Sequence, residues 1–256
     1  MDKYNNLISR QIDIVPVETQ KNIRNCKVLL LGCGLGSQIG VLAARTGFEN
    51  FILVDGDDVE EHNLNRQAFD RSHIGKNKAE SLSLLIKGIN PDANVECRPF
   101  FLTDKITARG MINSVDVVIN MVDPGEIMYF INDYSQDRGK LVVFPLNVMW
   151  GCYVMFFTPN SKKLVEILGG EKIKGNIFYI EFLKKTMVVL PSSVTNFCES
   201  NKNDFNKMEF MPQLGAASFV NAAIVIAGIV RWVSGYSIVE SPSPVFEDLL
   251  SFHIVR

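Results

Sequence analysis

The residues KVLLLGCGLGS at 27–37 decide the fold of this chain. The run 27–31 is short, apolar and rich in strand-forming residues, and the glycines after it predict a tight turn into a helix. Helical composition continues over 37–45, Gly47 stands where a helix C-cap glycine is common, and FILVD at 51–55 predicts the next buried parallel strand. Strand, turn, helix and strand make one βαβ unit, the building block of a Rossmann-like fold.

The glycine turn also predicts a phosphate-binding site. Gly32, Gly34 and Gly36 let the backbone approach a phosphate, and the free N–H groups of a helix N-terminus attract its charge. Asp55 follows roughly twenty residues later, where an acidic residue accepts hydrogen bonds from a ribose. Ser37 replaces the third glycine of the usual pattern, unless a shortened turn places Gly36 there. A glycine-rich turn without a ligand is the alternative.

The polar stretch DGDDVEEHNLNRQ at 55–67, with GKNK at 75–78, contains more charged and amide residues than a dinucleotide site requires. Phosphoryl chemistry needs cations that neutralise a triphosphate and carboxylates that hold Mg²⁺. Any one of these charges, taken alone, is explained more simply as a solvated surface residue. Their clustering after the glycine turn predicts an ATP site that includes Asp57, Asn63, Arg66, Gln67, Lys78 and Asp123.

These motifs resemble the ThiF/MoeB/HesA adenylyltransferase family, the bacterial relatives of ubiquitin-activating enzymes. The resemblance rests on DGDDVxxxNLNRQ at 55–67, GKNKAE at 75–80, INP at 89–91 and SRQI at 9–12. It covers about 10–159, and the NLxRQ element is specific in this context.

The resemblance implies both a reaction and a set of roles. Asp55 is expected to bind ribose, and the phosphates are expected to contact Asn63, Arg66 and Lys78. Asp123 is expected to hold magnesium, while Arg10 reaches into the active site of a partner subunit, which implies a homodimer. The reaction implied is ATP-dependent adenylation of a carboxylate with release of pyrophosphate.

Two features depart from the pattern of the family. Members with structural zinc carry two C-x-x-C pairs, and the five cysteines of this chain form none, so we expect no zinc. Pro124 stands after the magnesium aspartate in place of the usual asparagine. The proline removes a side-chain amide and a backbone donor, which is expected to weaken nucleotide contacts there.

The cysteines offer one candidate for a thioester-forming nucleophile. Cys33 lies in the phosphate turn and Cys152 in the apolar run CYVMFF, so both are predicted to be buried and inert. Cys198 lies in the polar stretch TNFCESNKND, which predicts an exposed thiol. Its reactivity would require a lowered pKa.

The fold class predicted is α/β: a Rossmann-like, mostly parallel sheet flanked by helices and continued by antiparallel strands. A single adenylation domain over 1–256 is expected to comprise a helical arm (1–26), a nucleotide-binding core (27–159) and a last part (160–256). The last part is expected to contain a sheet extension, a mobile loop and a C-terminal helix. A chain of 256 residues with 47% apolar residues suffices for one such domain.

Several elements of the second half are predicted from pattern alone. VDVVINMVD at 115–123 and KLVVFPLN at 140–147 are expected to be core strands, the first delivering Asp123. The runs expected to continue the sheet as antiparallel strands are WGCYVMFFTP (150–159), FYIEFL (178–183) and TMVVLP (186–191). A mobile loop is expected over 191–212. The apolar stretch 214–233 contains Asn221 and Arg231 and is predicted to be a buried helix, with a dimer interface as one place for it.

Charge and composition limit the partners. The net charge of −2 gives no electrostatic footprint for nucleic acid, and the N-terminus lacks the apolar core of a signal peptide, so a cytoplasmic protein without a membrane is expected. The substrate is expected to be the C-terminus of a small ubiquitin-like carrier protein or a peptide of a natural-product pathway. A tRNA-modifying dehydratase, a non-catalytic scaffold and an NAD-dependent oxidoreductase stay open as alternatives.

Overall fold

The computed structural model describes residues 3–200 and 212–251. Within them the strands form a single sheet. The strands are β1 (Lys27–Leu31), β2 (Asn50–Val54), β3 (Asn94–Arg98), β4 (Val117–Asn120), β5 (Leu141–Val148), β6 (Gly151–Phe157) and β7 (Val245–Asp248). Their order across the sheet is β3-β2-β1-β4-β5-β6-β7.

Helices cover both faces of the sheet. Those in the described residues are α1 (Lys3–Leu7), α2 (Val17–Asn25), α3 (Cys33–Thr46), α4 (Lys78–Ile89), α5 (Lys105–Asn113), α6 (Glu126–Asp137), α7 (Leu164–Ile167), α8 (Ile177–Thr186), α9 (Ser192–Ser200) and α10 (Gly215–Val233). One face carries α3, α4 and α10, and the other carries α5 and α6.

The central strand β1 is buried on both faces, as its continuous apolar run predicts. Val28 and Leu30 pack in the cluster under α3, and Leu29 and Leu31 pack in the cluster under α5. The last residue of β1 pairs with the last residues of β2 and β4. These three strands therefore end level, which brings the loops after them to one edge of the sheet.

The predicted fold class is confirmed. Strands β1 to β5 run parallel, whereas β6 runs antiparallel to β5 and β7 antiparallel to β6. The antiparallel extension is thus present, although its last strand comes from the end of the described chain. The short run Val245–Asp248 carried no strong pattern, and the sequence analysis missed it.

Two predicted strands are wrong. The residues 178–183 lie inside α8, because Phe178 and Phe182 are one helical turn apart and stack with ring centroids 5.4 Å apart. Both rings also meet Phe144 edge to face, which holds α8 on the sheet. The residues 187–191 form no strand and expose Val188 fully.

The predicted mobile loop over 191–212 is wrong for its first part. Helix α9 spans Ser192–Ser200, and its buried Val194 joins the same apolar cluster as α8. The residues 201–211 lie outside the described residues.

Helix α10 packs on α3, β5 and β6, and it confirms the predicted helix. Gly228 lets α10 approach the sheet, since a Cβ there would overlap the ring of Phe156. By length and composition α10 is the one helix of the described residues that could cross a membrane, and 44% of its apolar window is buried.

Candidate functional site

The chain leaves β1 through Gly32, whose φ of +95° favours glycine. The Gly32 N–H donates to the Val54 carbonyl at 2.9 Å, which ties the turn to β2. Helix α3 then begins at Cys33, earlier than the sequence predicts. Gly34 and Gly36 therefore lie in the first turns of the helix and not in a loop.

Asp55 accepts hydrogen bonds at the start of α3. Its carboxylate accepts from the N–H of Cys33 at 2.6 Å and from the N–H of Asp57 at 2.8 Å. Burial raises the pKa of Asp55, and these two backbone donors partly offset that effect. Since a carboxylate has about four acceptor positions, Asp55 keeps free ones for a ligand hydroxyl.

Lys78 opens α4 and holds its ammonium 3.0 Å from Oδ2 of Asp57. The lysine side chain is 11% exposed, whereas the Asp57 side chain is 54% exposed. An enclosed lysine needs a partner. Here the partner is a carboxylate that solvent and a ligand can reach, so the cation is fixed at the wall of the site.

Asn77 links the two halves of this arrangement. Its side-chain oxygen accepts from the N–H of Ala79 and Glu80 and so caps α4, while its amide donates to the carbonyls of Asp55 and Asp57 at 3.0 and 3.1 Å. No role was predicted for Asn77 from the motif GKNK. A capping residue directly before a helix was the signal that could have found it.

The residues after the short turn at Glu61–Asn63 present an arginine and a glutamine. The Asn63 carbonyl accepts from the N–H of Arg66 and Gln67 at 3.2 and 3.0 Å. The Arg66 guanidinium donates to the His62 carbonyl at 2.8 Å, and burial lowers its pKa. Among the described residues, Oε1 of Gln67 is buried and has no hydrogen-bond partner.

Ser37 has a positive role where a third glycine is usual. Its hydroxyl donates to the Gly34 carbonyl at 2.7 Å and accepts from the N–H of Ala68 at 2.8 Å. The serine thereby ties the start of α3 to the segment that carries Arg66. This contact accounts for the departure from the glycine pattern.

Asp123 follows β4 on a turn shaped by Asn120. The buried Asn120 amide donates to the Met128 carbonyl at 3.0 Å, and its oxygen accepts from the N–H of Val122 at 3.4 Å. Burial raises the pKa of Asp123, and the Asp57 carboxylate raises it further, while Lys78 lowers it. Asp123 therefore lies close enough to the Asp57–Lys78 ion pair for both charges to affect its pKa.

One cavity of about 530 Å³ joins these groups. It lies over the ends of β1, β2 and β4, where the strand order reverses, which is the usual ligand site of an open α/β sheet. The predicted site residues that line it are Gly32, Gly34, Asp55, Asp57, Arg66, Gln67, Lys78 and Asp123.

A family model described as the ThiF family matches residues 8–255. This chain belongs to the ThiF family. Among curated relatives, Adenylyltransferase and sulfurtransferase UBA4 of Candida albicans is 32% identical over 149 residues, which is 56% of this chain and 33% of the relative. The SAMP-activating enzyme E1 of Haloferax volcanii is 31% identical over 141 residues, 54% of this chain and 51% of the relative. The chain thus spans a third to a half of these relatives.

Solved structures extend the likeness of this ThiF-family chain in fold. The structure of PaaA has a TM-score of 0.74 at 19% identity and covers 99% of this chain and 82% of its own. The structure of E. coli MccB with ATP has a TM-score of 0.68 at 21% identity and covers 95% of this chain and 68% of its own. These similarities show the fold of the whole described chain.

Three residues that the sequence analysis assigned to the ThiF-type site do not line the cavity. Gly36 faces the core, since a Cβ there would lie 2.5 Å from Cδ2 of Leu30, so it serves helix–strand packing. Asn63 is buried and acts through the turn described above. Arg10 is exposed in the turn Ser9–Gln11.

The cysteines of this ThiF-family chain are free thiols. Cys33 and Cys152 are buried, as predicted. Cys198 is half-buried on α9 against the apolar cluster of α8, less exposed than its polar sequence surroundings predict, and this burial raises its pKa. Within the described residues no group of three His, Cys, Asp or Glu could hold a metal ion, and the absence of zinc stays a prediction.

Two aromatic residues form a wall of the cavity beside Asp55 that was not predicted from the sequence. Phe100 and Phe101 follow β3 and line the cavity, and the ring of Phe101 lies over Gly56, where a Cβ would be 2.5 Å away. Phe101 is 64% exposed. Two aromatic residues directly after a strand that ends at a ligand edge were the signal for a flat apolar ligand surface.

Proposed function

We propose that this chain catalyses ATP-dependent adenylation of a carboxylate, with release of pyrophosphate. The observation that carries the proposal is the convergence of Arg66 and Lys78 with Asp57 and Asp123 on one cavity of about 530 Å³. Cations and hard oxygen ligands side by side suit a triphosphate with its metal. Family membership supports the same reaction.

In this proposal the protein positions reactants and neutralises charge. Asp55 holds the ribose, and Phe101 supplies a face for the adenine. Arg66 and Lys78 neutralise the charge that develops as a substrate carboxylate oxygen attacks the α-phosphorus and the bond to pyrophosphate breaks. No side-chain nucleophile is needed for this step, since orientation and electrostatics lower the barrier.

Asp123 is the residue proposed to hold magnesium. The fit rests on its position, since Asp123 lines the same cavity as Asp57, Arg66 and Lys78, and carboxylate oxygens are ligands that Mg²⁺ prefers. When bound, Mg²⁺ would screen the phosphate charge. Pro124 has no backbone N–H and no side-chain donor. Hydrogen bonds to the nucleotide beside Asp123 therefore have to come from other side chains.

Calorimetric titration with Mg-ATP and, separately, with NAD tests the proposal on the wild-type chain, Arg66→Ala and Arg71→Ala. Arg71 is exposed, pairs with Glu61 and does not line the cavity, so it controls for loss of an arginine nearby. We expect ATP binding that weakens at least about tenfold in Arg66→Ala only, since a charge-assisted contact is lost. Binding of NAD alone, or of neither nucleotide, would contradict the proposal and favour the oxidoreductase or the scaffold.

The acyl substrate is proposed to be a small ubiquitin-like carrier protein or a peptide. The Haloferax volcanii relative is named a SAMP-activating enzyme, which supports the carrier class over about half the chain. A fold neighbour is described as the microcin C7 biosynthetic enzyme MccB in complex with N-formylated MccA, which supports a biosynthetic substrate over nearly the whole chain. Pyrophosphate release with candidates from each class would separate them.

A homodimer is proposed as the working form. Arg10 lies outside its own cavity, and the exposed apolar residues Ile12, Ile14 and Val17 follow it along the chain. On α10, Phe219 is 62% exposed. A second copy covering this surface would bury these side chains, and light scattering gives the mass that tests it.

A further inference from the structure

The cavity continues past Asp123, away from the ribose side. Asp55 and Phe101 stand at the β2 and β3 end, whereas the opposite end is enclosed by β5 and α8. Its wall there is mostly apolar and is formed by Phe144, Leu146, Met149, Tyr179 and Leu183. In the proposed function the nucleotide occupies the end with Asp55, so the α8 end is left for a second reactant.

Tyr179 differs from the other tyrosines of the described chain. The hydroxyls of Tyr129 and Tyr153 donate to the Ile173 carbonyl at 2.7 Å and to Thr186 at 2.9 Å, and those of Tyr4 and Tyr134 are bonded as well. Tyr236 is exposed. Tyr179 packs against the α8 cluster and lines the cavity, yet its hydroxyl has no partner among the described residues.

Tyr179 and the Asp123 carboxylate line the same cavity. Burial raises the pKa of Tyr179, and the Asp123 carboxylate raises it further, so the phenol stays a neutral donor in the physiological range. Tyr179 is half-buried and its hydroxyl is not fully enclosed, so the cavity gives a ligand access to it. A ligand acceptor can accept its hydrogen bond without displacing a protein partner.

The segment before Tyr179 is fixed at three points. The Gly175 N–H donates to the Pro124 carbonyl at 3.1 Å, and Lys172 and Lys174 pair with Glu126 at 3.3 and 3.4 Å. The Tyr129 hydroxyl bond to Ile173 is the third. These contacts join the start of α8 to the loop that carries Asp123. They hold Tyr179 at the Asp123 side of the cavity, so its hydroxyl is not needed to fix its position.

We propose that the α8 end of the cavity receives the acyl substrate and that the Tyr179 hydroxyl donates a hydrogen bond to the reacting carboxyl group. This inference rests on the proposed function. A carboxylate that approaches the α-phosphate meets the negative charge of the nucleotide, and a neutral donor orients it without adding another charge. During the step one carboxylate oxygen bonds the α-phosphorus and the bond to pyrophosphate breaks, while Tyr179 keeps its proton.

The test uses two probes that need no natural substrate. ATP reports the nucleotide end, and 5′-O-(acetylsulfamoyl)adenosine, whose sulfamoyl group stands in for the α-phosphate, adds an acyl carbonyl. The variant is Tyr179→Phe, and the matched control is Tyr153→Phe, which lies in the same apolar cluster but does not line the cavity. Calorimetry gives both affinities, and thermal unfolding checks each fold.

We expect Tyr179→Phe to bind ATP as the wild type does and to bind the acyl probe about tenfold more weakly, the effect of one neutral hydrogen bond. Tyr153→Phe should change neither affinity. Equal acyl-probe binding in wild type and Tyr179→Phe, or equal losses for both probes, would overturn the inference and leave the proposed function intact. A wild type that binds neither probe would overturn both.

Discussion

At the scale of single residues, the carboxylate of Asp123 that suits the proposed metal destabilises the unliganded fold when it is ionised. The pKa of Asp123 is raised by burial and by Asp57, so the folded chain holds this proton more tightly than the unfolded chain. The resulting stabilisation is present below the ordinary aspartate pKa of about 3.9 and is lost as pH rises through the raised pKa. We expect Asp123→Asn to raise the melting temperature of the unliganded protein at pH 7.

This gain should shrink toward pH 4, where wild-type Asp123 becomes protonated too. Differential scanning calorimetry between pH 4 and pH 8 measures it, with Asp104→Asn as a control of opposite sign. The pKa of Asp104 is lowered by hydrogen bonds from the start of α5, chiefly that of Thr107, so its charged form stabilises the fold at neutral pH. A lower melting temperature for Asp123→Asn at pH 7 would show that burial of the ionised carboxylate does not destabilise the fold.

At the scale of elements, the glycines of α3 separate folding from binding. An alanine Cβ at Gly36 would lie 2.5 Å from Leu30 and 2.9 Å from Met121 in the packed core, whereas one at Gly34 would lie 3.2 Å from the Gln67 amide beside the cavity. We expect Gly36→Ala to cost about 1–3 kcal/mol in urea unfolding, as overpacking does, with ATP affinity of the folded protein kept.

Gly34→Ala should behave in the opposite way. Its Cβ displaces Gln67 at the cavity wall, so ATP affinity is expected to fall about tenfold while the unfolding free energy changes by less than about 1 kcal/mol. Parallel urea titrations and calorimetry of the two variants provide the comparison. Loss of ATP binding without loss of stability in Gly36→Ala would restore this glycine to the phosphate site.

The sequence predicts the βαβ core well and the α8 side poorly, for a physical reason. In the core, β1 is a continuous apolar run, and periodicity and glycine spacing are local signals that agree with the tertiary structure. The run 178–183 is rich in β-forming aromatics. Phe178 and Phe182 nevertheless stack on a helix, because Phe144 of the sheet packs against both rings. That partner lies far away in sequence, so propensity alone misassigns the segment.

The candidate site divides in the same way. Charged residues in the 55–67 and 75–78 motifs converge because parallel strands end at one edge, which sequence reasoning can anticipate. Gly36 of the glycine turn serves packing and Asn63 of the 55–67 motif serves a turn, since a motif does not tell which of its residues point to the cavity. Tyr179 comes from a helix outside the motif, and only the tertiary fold brings it near Asp123.

At the scale of the whole molecule, Arg10 decides whether one chain makes a complete site. It is exposed and absent from its own cavity, so its proposed role requires a second copy. If Arg10 acts across the interface while Arg66 acts within its own chain, a heterodimer of Arg10→Ala and Arg66→Ala chains holds one intact site and one doubly defective site.

The two variants are co-expressed in equal amounts, so that half of the dimers are heterodimers. Half of the sites in each heterodimer are intact. We therefore expect about a quarter of the wild-type number of tight Mg-ATP sites. Calorimetric stoichiometry of the mixture measures this, against each variant alone. Lys78→Met mixed with Arg66→Ala is the control, because both residues line the same chain's cavity and no intact site can form. Wild-type site numbers in Arg10→Ala alone, or no recovery in the test pair, would place Arg10 outside the site, and the exposed apolar residues beside it would then need another partner.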